Sequence, residues 1–276
     1  MSVVTFWNSE KEETGKTMEI IAVSTYLAIE HNYKILIIST TERKNDVIKT
    51  SFWQEKKPKK NLGIFGPNRN VDMQSGISGL VRVARSNKIS PEIITNYAKI
   101  VFKDRLEVLL GKDGDELEVE DLYPQIINMA NKYYDLVIVD LDDNVPKDIR
   151  EEIIKDSDLI VVNMSQRLKS INNFAELREE NPLYKSNKVL ISMGKYDRHS
   201  KYNCKNISRY LGEKKDILTI PYNTLFFEAS EEAKVPDFFL RVRKVDPEDR
   251  NSFFLQEVKR ASENIIYRLQ DLQSKM

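Results

Sequence analysis

Val3-Val4-Thr5-Phe6-Trp7-Asn8-Ser9-Glu10-Lys11-Glu12-Glu13-Thr14-Gly15-Lys16-Thr17 is the stretch that decides the fold. Its first five residues form an apolar, β-branched and aromatic run, as expected of a strand buried on both faces. A polar loop follows from Asn8 to Thr14. From Lys16 to about Asn32 the pattern turns helical, with Ile20, Ile21, Val23, Leu27 and Ala28 on one side. Lys34 to Ser39 (KILIIS) is a second buried strand. Strand, loop, helix and strand in this order make a βαβ unit. Its crossover is right-handed, and its first loop lies at the carboxyl end of the sheet.

The alternation continues outward. Arg105 to Leu110, Tyr134 to Leu141, Asp158 to Met164, Lys188 to Met193 and Ile217 to Ile220 read as further strands. Leu122 to Tyr133, Lys147 to Lys155, Ser170 to Glu179 and Asn203 to Leu211 read as helices. The fold class is therefore α/β, with a doubly wound, mostly parallel sheet and helices on both faces. One domain is expected over residues 1–276. It carries an irregular excursion at about 52–99, where Lys56-Lys57-Pro58-Lys59-Lys60, Gly63, Gly66-Pro67, Gly76 and Gly79 crowd together, on the phosphate-loop side. A C-terminal amphipathic helix is expected from Asp246-Pro247-Glu248 to about Lys275.

Composition narrows the function classes. The 276 residues carry 43 basic and 43 acidic side chains, so no global field draws the chain to nucleic acid. Cys204 is the single cysteine, which excludes an internal disulfide and argues against a cysteine zinc site. It is expected to be small and half-buried. His31 and His199 lack ligand-like spacing. No apolar run approaches the ~20 residues of a membrane span, and the N-terminus has no basic signal region. A cytoplasmic protein is expected. The mixed-charge polar face of the last helix suits packing on the body or on a partner better than membrane anchoring.

Gly15-Lys16-Thr17 opens a helix directly after a buried strand, and there backbone N–H groups and the helix dipole meet phosphate oxygens. Gly15 allows close approach, Lys16 reaches the β- and γ-phosphates, and Thr17 is placed to ligate Mg²⁺. Asp140 ends the clearest strand, at the edge where ligands bind in this architecture. The bland alternatives are a helix cap for Gly15-Lys16-Thr17 and a strand-end aspartate satisfied by backbone for Asp140.

The first glycine of the standard P-loop pattern is replaced by Glu10. Lys11, Gly15, Lys16 and Thr17 instead resemble the deviant Walker A motif (K-G-G-x-G-K-T) of the ParA/MinD ATPase family, with Glu12 and Glu13 at two glycine positions. Tyr134 to Asp140 resembles that family's Walker B strand, Lys188 to Asp197 the strand ending in "NRYD", and Ile220-Pro221-Tyr222-Asn223 with Phe226 to Ala229 the segment beside the adenine. The likeness covers Val3 to about Ala233, and its closest flavour is the CpaE/TadZ-like branch, whose frequent N-terminal receiver-like domain is not expected here.

The resemblance implies ATP and Mg²⁺ as ligands. It implies Lys11, Lys16 and Asp140 as catalytic groups, and Thr17 and Asp140 as metal ligands. Thr14, Gly15, Met18, Met193 and Pro221 join Lys11, Lys16 and Thr17 as nucleotide contacts. Lys11 would reach the partner's phosphates in a sandwich homodimer, and a larger assembly of the pilus or secretion kind would be the protein partner.

Three departures qualify that picture. Glu12 and Glu13 bring carboxylates to a polyphosphate, where a like-charge pair at roughly 6 Å costs about 3 kcal/mol at an effective dielectric near 20. The family's aspartate after the second strand is missing from Ser39-Thr40-Thr41-Glu42, where only Glu42 could substitute. The adenine-reading asparagine is replaced near Met193-Gly194. Slow hydrolysis is expected. Two rivals stand beside the ATP-gated switch: a pseudo-ATPase scaffold, and a DNA-partition ATPase using Lys56 to Lys60 with Arg241, Arg243 and Lys244. Asp142, Asp143 and Asp197 read as turn residues.

Overall fold

The computed structural model describes residues 1–10, 13–54, 76–84, 90–113 and 119–275. Its strands are β1 (Ser2–Asn8), β2 (Ile35–Ser39), β3 (Lys99–Phe102), β4 (Leu106–Leu109), β5 (Leu136–Asp140), β6 (Leu159–Met164), β7 (Val189–Tyr196) and β8 (Leu218–Pro221). These eight form one sheet in the order β3-β4-β2-β5-β1-β6-β7-β8. All pairings are parallel except β3 with β4. The doubly wound α/β sheet expected from the βαβ pattern is the one observed.

Period-two alternation sends each strand's side chains to two separate cores. Val4, Phe6, Ile35, Ile37, Leu136 and Ile138 face α1 (Lys16–Glu30), α2 (Val47–Phe52), α8 (Thr224–Glu231), α9 (Val235–Val242) and α10 (Ser252–Gln273). Leu36, Ile38, Val137, Val139, Ile160 and Val162 face α3 (Gly76–Ala84), α4 (Tyr123–Asn131), α5 (Lys147–Asp156), α6 (Leu168–Glu180) and α7 (Cys204–Leu211). Both faces are covered, which is why the central strands read as unbroken apolar runs.

Three differences from expectation have local causes. Strand β3 lies at the end of the irregular excursion. It forms an antiparallel edge hairpin with β4, turning through Asp104 at a φ of 59°. Helices α8 and α9 are not among the expected elements. Asn223 caps α8 by accepting from the Phe226 N–H at 2.9 Å, and Phe226, Phe238, Phe239 and Phe254 knit α8, α9 and α10 with ring centroids 5.0–6.4 Å apart. The last helix starts at Ser252, not Asp246. Asp246 accepts from the Glu248 N–H at 2.9 Å and Asp249 from the Asn251 N–H at 2.7 Å, so side chains compete for the groups a helix would use.

In the excursion, the Ile77 N–H donates to the Leu110 carbonyl, so α3 starts at the carboxyl edge of the sheet, on the phosphate-loop side. Lys11, Glu12, Lys56 to Lys60, Gly63 and Gly66-Pro67 lie outside the described residues.

Candidate functional site

The loop after β1 is anchored by the side chains of Glu10, which stands at the first glycine of the standard P-loop pattern, and Thr14. The Glu10 carboxylate accepts from the Ser170 hydroxyl at 2.6 Å and the Ser165 N–H at 3.2 Å, which ties the loop to the start of α6. The Thr14 hydroxyl donates to Asn8 Oδ1 at 2.6 Å and closes the loop on the end of its own strand.

Gly15 then takes a φ of 88° as the N-cap of α1 and offers no side chain to the helix's first N–H groups. An added Cβ at Gly15 would sit 3.3 Å from the Gly194 Cα. At Gly194 an added Cβ would fall 2.2 Å from the Thr14 carbonyl oxygen. Glycine at both positions lets β7 close against the loop. It also leaves a helix N-terminus that suits an anion.

Three side chains converge at the floor. Lys16 Nζ lies 2.8 Å from Asp140 Oδ1 and also donates to the Leu141 carbonyl. The Thr17 hydroxyl donates to Asp140 Oδ2 at 2.9 Å. Lys16 is 7% exposed and Asp140 1%. A buried pair of this kind is costly to break from one side, by roughly 3–5 kcal/mol, because the remaining charge is left without compensation. Asp140 is positioned by β5, whose neighbours are β1 and β2. Thr40 stitches the strand ends together: its hydroxyl donates to the Asp140 carbonyl at 3.0 Å and accepts from the Asp142 N–H at 2.8 Å.

A cleft of about 540 Å³ opens above this floor. Thr14, Gly15, Lys16, Thr17 and Asp142 line one end. Ile220, Pro221, Tyr222, Phe226 and Phe227 line the other, with the exposed rings of Tyr222 and Phe227 6.1 Å apart. The polar end can take phosphate and magnesium, and the apolar end a flat ring. The donor set fits: a lysine, a threonine hydroxyl and an aspartate around an open helix N-terminus. Among the described residues no group of three or more His, Cys, Asp or Glu side chains could hold a metal ion by itself.

Of the residues named from sequence, Thr14, Gly15, Lys16, Thr17, Met18 and Pro221 line this one cleft, and Asp140 sits beneath it. Met193 does not. It is fully enclosed in the core beneath the sheet, because its place in β7 points it away from the cleft, and Lys195 forms the wall instead. Asp143 lies in a turn, as expected, but is half-buried rather than solvated. It pairs with Arg150 at 3.2 Å, and burial raises its carboxyl against the opposing pull of Lys16 and Arg150. Cys204 is half-buried, as expected.

Glu42 does not enter the cleft; it pairs with Lys44 at 2.9 Å. The buried acid of that loop is Asp46, which caps α2 by accepting from the Ile48 N–H at 2.9 Å. Burial is the main cause that pushes its carboxyl up to about 6, and the charge of Asp140 adds to the effect. Asp46 escapes a reading of the sequence because its burial, and its nearness to Asp140, arise only from packing between distant segments. Glu13 is 94% exposed and pairs with Lys195 at 3.2 Å, not with Lys16.

No protein-family model matches the sequence, and no curated protein matches it. Solved structures do share the fold. A ParA family ATPase from Chlorobium tepidum is 14% identical, with a TM-score of 0.66 over 94% of this chain and 98% of that one. Pyrococcus furiosus cell division ATPase MinD is 15% identical, with a TM-score of 0.63 over 97% and 99%. A Borrelia burgdorferi plasmid partition protein bound to AMPPNP is 15% identical, with a TM-score of 0.62 over 97% and 99%. The described residues share the fold of these ATPases.

Proposed function

We propose that the chain binds ATP with Mg²⁺ in this cleft and acts as a nucleotide-gated dimeric switch. One observation carries the reading: Lys16 and Thr17, adjacent on α1, both bond the single carboxylate of Asp140 at the carboxyl edge of the sheet. Lys16 would neutralise phosphate charge. Thr17 and Asp140 would hold magnesium, which supplies further neutralisation of phosphate charge when bound. Pro221, Tyr222 and Phe227 would receive the base. Structures with the same fold carry AMPPNP and Mg-ADP, and this supports the choice of ligand.

Hydrolysis is proposed to be slow. Thr41, not an acid, lines the cleft after β2, where its hydroxyl donates to Asp142 at 2.9 Å. The output is proposed to be placement or assembly of a larger machine, by the resemblance to CpaE/TadZ-like proteins, with Lys11 completing the dimer. Among the described residues no helix is long and apolar enough to cross a membrane.

Light scattering tests the switch. A monomer that becomes a dimer with ATP and Mg²⁺, but not with ADP, is expected. A dimer that forms equally without nucleotide would favour the scaffold reading, which the Glu13 carboxylate at the loop motivates.

A further inference from the structure

Lys195 is the second cation lining the described cleft, beside Lys16. Three features place it there. The close contact of Gly194 with Thr14 brings the end of β7 against the phosphate loop. The Lys195 stem lies over Gly15, with its Cγ 3.5 Å from where a Gly15 Cβ would be. Its backbone holds a φ of 53°, a left-handed conformation that a lysine adopts at a cost of about 1 kcal/mol. Its ammonium pairs with Glu13, the carboxylate that stands in the loop where the resemblance expects glycine.

The two cleft lysines are held very differently. Lys16 is buried on Asp140 and Leu141. Lys195 is half exposed, and its partner Glu13 extends almost wholly into solvent. An exposed pair of this sort is weakly held and exchanges readily. A polyphosphate carries more charge than one carboxylate and, seated at the helix N-terminus, would outcompete Glu13 for the same ammonium.

We propose that Lys195 is a second phosphate-binding lysine, supplied by the same chain and masked by Glu13 until nucleotide enters. The idea rests on the cleft being the nucleotide site. It gives Glu13 a defined role, as a competitor that the nucleotide must displace. It also gives the cleft a second phosphate cation without a contribution from another copy of the chain.

Calorimetric titrations of ATP with Mg²⁺ and of adenosine into wild type, Lys195→Ala, Lys195→Gly, Glu13→Gln and Lys16→Gln test it. Lys195→Gly accepts the positive φ and controls for backbone relaxation. Both Lys195 variants are expected to lose about tenfold in ATP affinity, the worth of one charge-assisted contact, and to keep their adenosine affinity. Glu13→Gln is expected to bind ATP more tightly, and that gain should vanish in the Glu13→Gln, Lys195→Ala double variant. ATP affinity within twofold of wild type in both Lys195 variants would overturn the proposal, as would an equal loss for adenosine, which would make Lys195 a cover for the base. If Lys16→Gln abolishes ATP binding while Lys195 is silent, only this inference fails. If wild type binds no ATP, the cleft reading falls with it.

Discussion

Glu19 should make the stability of this fold fall as pH rises, and a single amide substitution should remove the effect. It lies one turn into α1 and is 0% exposed, held between β6 and β7. Its carboxyl accepts from the Ser192 hydroxyl at 2.6–2.7 Å and from Asn163 Nδ2 at 2.7 Å. Burial pushes its pKa from the ordinary 4.5 to about 7, with the Ser192 and Asn163 bonds pulling weakly the other way. The unfolded chain therefore releases this proton near 4.5 and the folded chain near 7. Between those values the native state binds more protons, so stability is highest on the acid side and drops as pH climbs. At about 1.4 kcal/mol per unit, the full penalty above pH 7 is about 3 kcal/mol. The neutral amide of a Glu19→Gln variant mimics the protonated carboxyl and keeps bonds to both partners.

Urea unfolding of both proteins at about pH 5 and about pH 8 gives the test. Wild type should lose about 2–3 kcal/mol more than the variant over that interval. Asp46, raised to about 6 by burial, acts in the same direction in both proteins and cancels in the comparison. Identical pH dependence of the two proteins would refute the assignment of a buried, proton-holding Glu19.

Other perturbations follow from packing and from the loop. Phe226→Ala removes the ring shared by α8, α9 and α10 and should cost about 3–5 kcal/mol in chemical denaturation, a loss that Phe226→Leu should largely restore. Gly194→Ala drives a Cβ into the Thr14 carbonyl, so a loss of about 1–3 kcal/mol is expected together with weaker ATP binding by calorimetry. Lys16→Gln should abolish ATP binding. It should also lower the melting temperature by several degrees, because Asp140 stays buried without its cation.

Much of this fold is written in patterns that single elements carry. The strands β1, β2, β5, β6 and β7 are legible because a two-faced buried strand must be apolar throughout, and Gly15-Lys16-Thr17 between β1 and α1 marks the cleft. What escapes reading depends on partners distant in sequence. Nothing local says that Glu10 bonds Ser170 or that Lys195 reaches Glu13, since each contact exists only after the crossovers bring the loops together. Met193 faces the core, while Lys195, two residues on, reaches the cleft because β7 breaks register after Gly194 and Lys195 takes a φ of 53°, and nothing local in the sequence marks that break. The start of α10 is misplaced because Asp246-Pro247-Glu248 reads as a helix opening, while the aspartate side chains in fact hold turns.

The central claim is that Lys16, Thr17 and Asp140 form a nucleotide–magnesium site. It is tested most directly by titrating ATP into the wild-type chain by calorimetry, with and without Mg²⁺. A saturable binding signal that strengthens with Mg²⁺ and is lost in Lys16→Gln is the predicted result. Absence of binding under both conditions, or ATP affinity unchanged in Lys16→Gln, would contradict it.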